Sequence, residues 1–336
     1  MKTLVFIMFF AVVCAFAERS VYGNENRFMF ASPRSFALAE AANAILDEPL
    51  PANNPASVIL AERTNFFLGY TGFYNNILWA GNTWATLVID SLNAASVFIG
   101  YLSIPGIDSV RKVYAFEGAE PDYRISMVSS SELSVNFNFA RKLINTTRLN
   151  LTVGASLNMM RRRLIDWTGY GIGTDLGVLL TTDRGNHVSL QIDNITTHYT
   201  RWSGEYHENT LPQCFFAYGF SKDFNENLSV NLLWRSPDLF GNSGVVASTL
   251  GESNQFEDNI RSGSILRNPQ NLFTAAGYGA EFLIKQTVAL RVGLSSSHKL
   301  TFGGGIYLFE RANVDFAYIY SSALDGTYSI SLRFNL

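Results

Sequence analysis

Leu149-Asn150-Leu151-Thr152-Val153-Gly154-Ala155-Ser156-Leu157-Asn158-Met159 alternates apolar and polar residues without a break. Successive side chains of a β-strand point to opposite faces, so this segment predicts a strand with one greasy face and one wet face. The wet face carries Asn, Thr, Gly and Ser but no charge, which suits a lumen or a second layer better than bulk solvent. The pattern recurs just upstream in Leu133-Ser134-Val135-Asn136-Phe137-Asn138-Phe139 and again at the end of the chain, Thr327-Tyr328-Ser329-Ile330-Ser331-Leu332-Arg333-Phe334-Asn335-Leu336. A polar connection over 141–148 makes the first two runs a hairpin.

Further strand-like runs lie at 66–73, 84–90, 95–102, 110–116, 123–129, 175–181, 188–194, 215–220, 228–234, 276–283, 288–294, 300–308 and 314–320, giving about sixteen in all. Two long interruptions, 196–213 and 235–272, contrast with short connections at 222–227 and 311–313. Long loops on one side and short turns on the other are what a membrane barrel predicts. Beyond the N-terminus no run is long and apolar enough to cross a bilayer as a helix.

Composition agrees with that pattern. Of 336 residues, 47% are hydrophobic, 14% aromatic and only 16% charged, with a formal net charge of −3. Low charge with many aromatics excludes a disordered chain, and the absence of a basic excess excludes a nucleic-acid partner. Lys2, the apolar stretch 4–16 and Ala15-Phe16-Ala17 predict a signal peptide over 1–17. Its removal leaves Cys214 without an internal disulfide partner, and Cys214-Phe215-Phe216-Ala217-Tyr218 predicts a buried, inert thiol. The Ala-rich stretch 34–46 follows Ser32-Pro33 and stops before Pro49, which predicts a helix ahead of the strand series. We expect 18–65 to form a plug or a periplasm-facing segment of a barrel built from 66–336.

Three segments resemble the FadL-like outer-membrane barrels, and within them the PorV/PorQ group. One is the helix followed by Asp47 and Asn54-Pro55-Ala56. The second is the stretch 133–177, ending in Gly173-Thr174-Asp175-Leu176-Gly177. The third is the closing run 277–336, with Ala289-Leu290-Arg291-Val292-Gly293, Phe302-Gly303-Gly304-Gly305 and Val314-Asp315-Phe316-Ala317-Tyr318. The resemblance implies an all-β transmembrane antiparallel barrel of about fourteen strands with an N-terminal helical plug, in a bacterial outer membrane and in contact with its lipid. It implies a secretion-associated role, with type IX cargo or attachment-complex proteins as partners. The alternative within the family is a transporter of long-chain hydrophobic molecules, and an alternative from another class is a secreted soluble β-sandwich that binds carbohydrate or a partner. Asn54, Pro55 and Ala56 are then expected to act as a structural or gating element of the plug.

The polar residues offer little chemistry. His198, Glu205, His207 and Glu208 lie in one stretch, but no His-x-x-x-His or two-Cys spacing supports a metal, and no metal or cofactor is expected. No Gly-x-Ser-x-Gly elbow occurs and no serine partners the histidines by spacing, so no catalytic residue is assigned and an enzyme is not expected. Tyr199, Trp202 and Tyr206 are of the residue types that dominate contact sites, and they mark a loop that could touch a partner. Arg161-Arg162-Arg163, just past the strand quoted first, reads as a solvated strand end that could also meet lipid phosphate.

Overall fold

The structure is a computed structural model that describes residues 25–45, 48–113, 122–203, 207–242, 269–295, 300–308, 311–320 and 326–336. The expected signal peptide at 1–17 lies outside the described residues, as do Asp47, Glu205, Tyr206 and most of 235–272.

The strands run β1 (Asn65–Phe73), β2 (Leu78–Val88), β3 (Asn93–Val113), β4 (Asp122–Asn145), β5 (Leu149–Leu164), β6 (Trp167–Thr182), β7 (Asn186–Asp193), β8 (His198–Trp202), β9 (His207–Thr210), β10 (Gln213–Asn225), β11 (Leu228–Arg235), β12 (Gly277–Ile284), β13 (Val288–Leu294), β14 (Leu300–Leu308), β15 (Ala312–Ile319) and β16 (Thr327–Asn335). Fourteen of them, all but β8 and β9, pair antiparallel with their neighbours, and the sheet closes on itself through Asn65↔Asn335 of β1 and β16. A closed barrel leaves no sheet edge, so every interior ladder position is paired within the molecule. The β-sandwich alternative is therefore wrong: one sheet returns to its own start, and no second sheet packs on it among the described residues.

The expected hairpin is β4–β5, with Phe137 opposite Leu157. The run 95–102 and the described part of 110–116, up to Val113, merge into β3, which passes its irregularity between Ile104 and Ile107 without leaving the sheet; 123–129 and 133–139 likewise form the single strand β4. A greater difference concerns 196–213, expected as a loop. It holds β8 and β9, a hairpin that pairs with the outer end of β6 through Gly169↔Trp202 and Ile172↔Tyr199. Its inward residues His198 and Trp202 lie over Gly169, Gly171 and Gly173, where any Cβ would meet their rings. That bare glycine track lets two large rings approach the wall, which explains why a short polar stretch becomes strand.

Alternation fixes what each face meets. On β16, Thr327, Ser329, Ser331 and Arg333 are buried inside while Ile330 and Phe334 are exposed outside; β1 and β13 repeat the arrangement. The outward apolar series of β5 from Leu149 to Met159 spans about 33 Å along the strand, or about 25 Å of height at a tilt of about 40°, which is the thickness of the apolar band on membrane barrels. Tyr70, Tyr101, Tyr170, Tyr278 and Tyr318 are exposed toward the barrel end that carries the connections β7–β10 and β11–β12. Longer loops mark the extracellular end of such barrels, and tyrosines of this kind form the interfacial girdle. The protein is an outer-membrane β-barrel, and its apolar exterior faces lipid. Among the described residues, no helix is long and apolar enough to cross a membrane.

The N-terminal segment is not the single helix its composition suggests. Ser32 caps one α-helical turn, Pro33–Ala37, by accepting from the Ser35 backbone N–H at 3.2 Å. Ala39 and Glu40 then adopt positive φ, 52° and 62°, before a 3₁₀ turn over Ala41–Ala44. The wall imposes the break. The carbonyl of Leu38 lies against Gly279 and the amide of Ala39 against Gly293, while Glu40 turns to pair with Arg235 at 2.9 Å. Tertiary contact of this kind overrides alanine's preference for helix.

Candidate functional site

The chemistry of a barrel of this kind resides on its inner face, and here that face meets the segment from Phe30 to Ala61. The Pro33–Ala37 turn packs on β13 to β16, the Ala41–Ala44 turn on β7 and β10 to β12, and a 3₁₀ turn over Pro55–Leu60 on β3 to β6. The segment thus touches the wall on all sides.

Charge ties it to the closing strands. Arg34, 1% exposed, donates from Nε to Glu281 at 2.9 Å and from Nη1 to Glu48 at 3.1 Å. Glu281 also accepts from Arg291 and from Asn231 (2.8 Å), and Arg291 reaches Asp315 at 2.6 Å and the Tyr307 hydroxyl at 3.1 Å. Arg333 lies 3.4 Å from Glu48 and donates to Asn313 at 2.9 Å. Three guanidiniums face three carboxylates, a neutral set in which each ion has a partner, as burial demands. In the sequence, Arg291, Asp315 and Arg333 stand within apolar–polar runs that give them no evident role. Their signal is parity, because each occupies a wet position on its strand.

Asn54-Pro55-Ala56 makes the second attachment. The Asn54 side chain accepts from the Ala56 backbone N–H at 2.8 Å, capping the following 3₁₀ turn, and donates to Ser189 Oγ of β7 at 2.7 Å. Pro55 and Ala56 lie so close to β5, and Asn54 so close to β6, that a Cβ at Gly154 or Gly177 would collide with them. The neighbouring Asp175, wholly buried, accepts from Ser156 (2.7 Å), Asn158 (2.6 Å) and the Asn194 backbone (2.8 Å), and so holds this part of β5, β6 and the following turn together. Two of the quoted motifs, Asn-Pro-Ala and Gly-x-Asp-Leu-Gly, are therefore two halves of one contact.

The third feature is an aromatic wall. Phe67, Trp84 and Phe98 occupy one inner row of β1, β2 and β3. Phe67 stacks on Trp84 with ring centres 3.5 Å apart, Trp84 on Phe98 at 6.3 Å, and Phe30 of the N-terminal segment meets Phe98 edge-on at 6.0 Å. In register the row continues to Asn136 and Asn158, so it changes from aromatic to amide. At that change lies a small cavity of about 20 Å³, room for about one water, toward the extracellular end, whose lining includes Phe30, Phe98, Glu132, Asn136, Asn158 and His198.

The expected loop contacts are divided. Tyr199 is exposed and stacks on His207 with ring centres 6.0 Å apart, whereas Trp202 is 7% exposed and turned inward over Gly169. Burial raises the pKa of Glu208 on β9, with the neighbouring Trp202 indole and Arg162 acting against it. No cluster of metal-ligating side chains occurs among the described residues. Cys214 is buried in β10.

No family model matches the sequence, and no curated protein matches it. Solved structures do share its architecture. The toluene transporter TbuX of Ralstonia pickettii superposes with a TM-score of 0.52 at 14% identity over 91% of this chain and 98% of its own. The monoaromatic hydrocarbon channel CymD gives 0.53 at 11% identity, covering 94% and 99%. A deltaS2 mutant of the monoaromatic hydrocarbon channel TodX gives 0.51 at 11%, covering 91% and 98%. At such identities the likeness shows the fold, a FadL-like barrel. The PorV/PorQ resemblance and its secretion role find no counterpart among these neighbours, whose names fit the transport alternative instead.

Proposed function

We propose that this barrel is a channel for hydrophobic small molecules, with residues 18–65 as its plug and Asn54, Pro55 and Ala56 as the anchor of that plug on β5 to β7. The inner aromatic row Phe67, Trp84 and Phe98 carries the reading. A porin-like lumen is polar, and water-soluble cargo gains nothing from three stacked rings. The rings are 1–2% exposed beneath the N-terminal segment, so an apolar solute that takes the place of that segment gains about 25 cal/mol for each Å² it hides there. The small cavity beside Phe98, which Phe30 of the plug also lines, is where a solute would reach that row from the extracellular end. That solved barrels of this fold are named as toluene and hydrocarbon channels agrees with the same class of solute.

The test is uptake of radiolabelled toluene and oleate by cells that carry the chain as their only FadL-like barrel. Uptake should exceed that of the deletion strain, and Phe98→Gln should reduce it at least about tenfold by putting an amide into the apolar row. Equal uptake with and without the chain, together with loss of exported proteins from the cell surface on deletion, would reverse the reading in favour of secretion.

A further inference from the structure

The triplet Arg161-Arg162-Arg163 is divided by the strand that carries it. Arg162 turns into the lumen, where Nε and Nη2 meet Glu132 at 2.8 Å and 2.6 Å. Arg161 and Arg163 turn outward, both exposed, one and two steps past Met159 in the outward series of β5. They therefore stand immediately above the apolar belt, on the extracellular side.

A third guanidinium joins them through register. Arg161 pairs with Tyr170 of β6, and Tyr170 pairs with Arg201 of β8. All three side chains are on the outer face, with Arg161 and Arg201 flanking Tyr170 at two strand spacings, about 10 Å, and Arg163 about 7 Å along the strand from Arg161. Among the described residues none of the three guanidiniums has an ion-pair or hydrogen-bond partner. Of the described carboxylates nearby, Glu132 is held inside by Arg162 and Glu208 is turned inward on β9. The tyrosine between them is of the girdle, so the group sits at headgroup depth.

We propose that Arg161, Arg163 and Arg201 form a binding site for the phosphates of an outer-leaflet glycolipid, with its acyl chains lying on the apolar strip below. Three forked guanidiniums on one flat face match phosphate oxygens, which accept paired N–H donors. The strip beneath, Met159, Leu157 and Ile172, offers acyl chains a surface continuous with the site. A soluble acidic partner would have no use for that strip. The site lies on the outer wall, apart from the lumen and from whatever passes through it.

The full-length folded protein is reconstituted in phosphatidylethanolamine vesicles doped with bisphosphorylated lipid A or with its dephosphorylated form, then extracted in mild detergent, and the co-retained lipid is counted by native mass spectrometry. The wild type should retain the phosphorylated lipid at least about tenfold over the dephosphorylated one. The variant Arg161→Gln/Arg163→Gln/Arg201→Gln should lose that preference while keeping heat-modifiable migration. A control with the same charge change at the periplasmic end, Arg141→Gln/Arg148→Gln/Arg311→Gln, should keep it. Retention indifferent to the phosphates, loss in the control as large as in the triple variant, or displacement by millimolar inorganic phosphate would each overturn the site.

Discussion

Replacing Arg34 by Met removes one cation from a buried set of three cations and three anions. Glu281 keeps Arg291 and Asn231, and Glu48 keeps Arg333 at 3.4 Å. One net negative charge then remains in a site where Glu48 and Glu281 are each 1% exposed. Removing one partner of a buried ion pair costs about 3–5 kcal/mol, because the other charge has lost its compensation. The barrel does not bear that cost, since its strands keep their ladders. The N-terminal segment does, because it can leave the charge by moving. Amides at Phe36, Leu38, Ile45, Asn54 and Ser57, each bonded within the segment, should exchange with deuterium about two to four orders of magnitude faster than in the wild type. Strand amides of β13 to β16 should be unchanged. Adding Glu48→Gln restores two cations against two anions, so the double variant should recover at least about half of the lost protection, a coupling that a double-mutant cycle reads directly. If the single variant exchanges like the wild type, or if the two changes simply add, the network does not hold the segment.

Other consequences are simpler. Gly177→Val places a side chain where Asn54 sits, and Gly154→Val does the same to Pro55 and Ala56. Both should release the Pro55–Leu60 turn to limited proteolysis in a barrel that still shows heat-modifiable migration, whereas the same substitution at Gly81, which has open contacts, should not. Asp90, in the turn between β2 and β3 and outside the membrane, accepts from the Asn93 side chain, the largest cause, and from the backbone N–H of Leu92, and both hold its pKa below the ordinary aspartate value. Its contribution to the turn is therefore complete above the unfolded aspartate pKa and is lost as pH falls through the depressed value. Carboxyl NMR titration should show that depression, and Asn93→Ala should move the value back up.

The exterior of this molecule could be read from sequence because lipid constrains every strand in the same way. Leu149 to Met159 and Tyr328 to Leu336 each repeat an apolar residue at every second position, and that repetition needs no knowledge of the partner strand. The interior obeys a different rule. Arg34 and Glu281 are 247 residues apart, and nothing near either of them announces the other. Parity shows that Glu281, Arg291, Asp315 and Arg333 face inward, but their grouping depends on the register of the closing strands and on where the N-terminal segment turns. That turn was itself hidden, because the Ala-rich, helix-favouring composition around Leu38 yields to contacts with Gly279 and Gly293. The hairpin β8–β9 was hidden for a related reason: its strands are short, and their support is the glycine track of β6.

The same division explains why a motif can mislead as well as inform. Read as a unit, Arg161-Arg162-Arg163 is a basic triplet at a strand end. Placed on a pleated strand it is two unlike things, a structural cation at position 162 bound to Glu132 and a pair of outward cations at 161 and 163. Removing the inner one takes from Glu132, 2% exposed and beside the cavity, the cation that offsets its charge, and should damage the barrel wall. Removing the outer two strands nothing inside the protein. A charge scan across the three positions should therefore give a destabilised barrel for Arg162→Gln alone, seen as a lower temperature of the heat-modifiable transition, with Arg161→Gln and Arg163→Gln unchanged in detergent. Equal effects at all three positions would mean that the strand does not carry these side chains to opposite faces, and the assignment of lumen and lipid sides on β5 would fail with it.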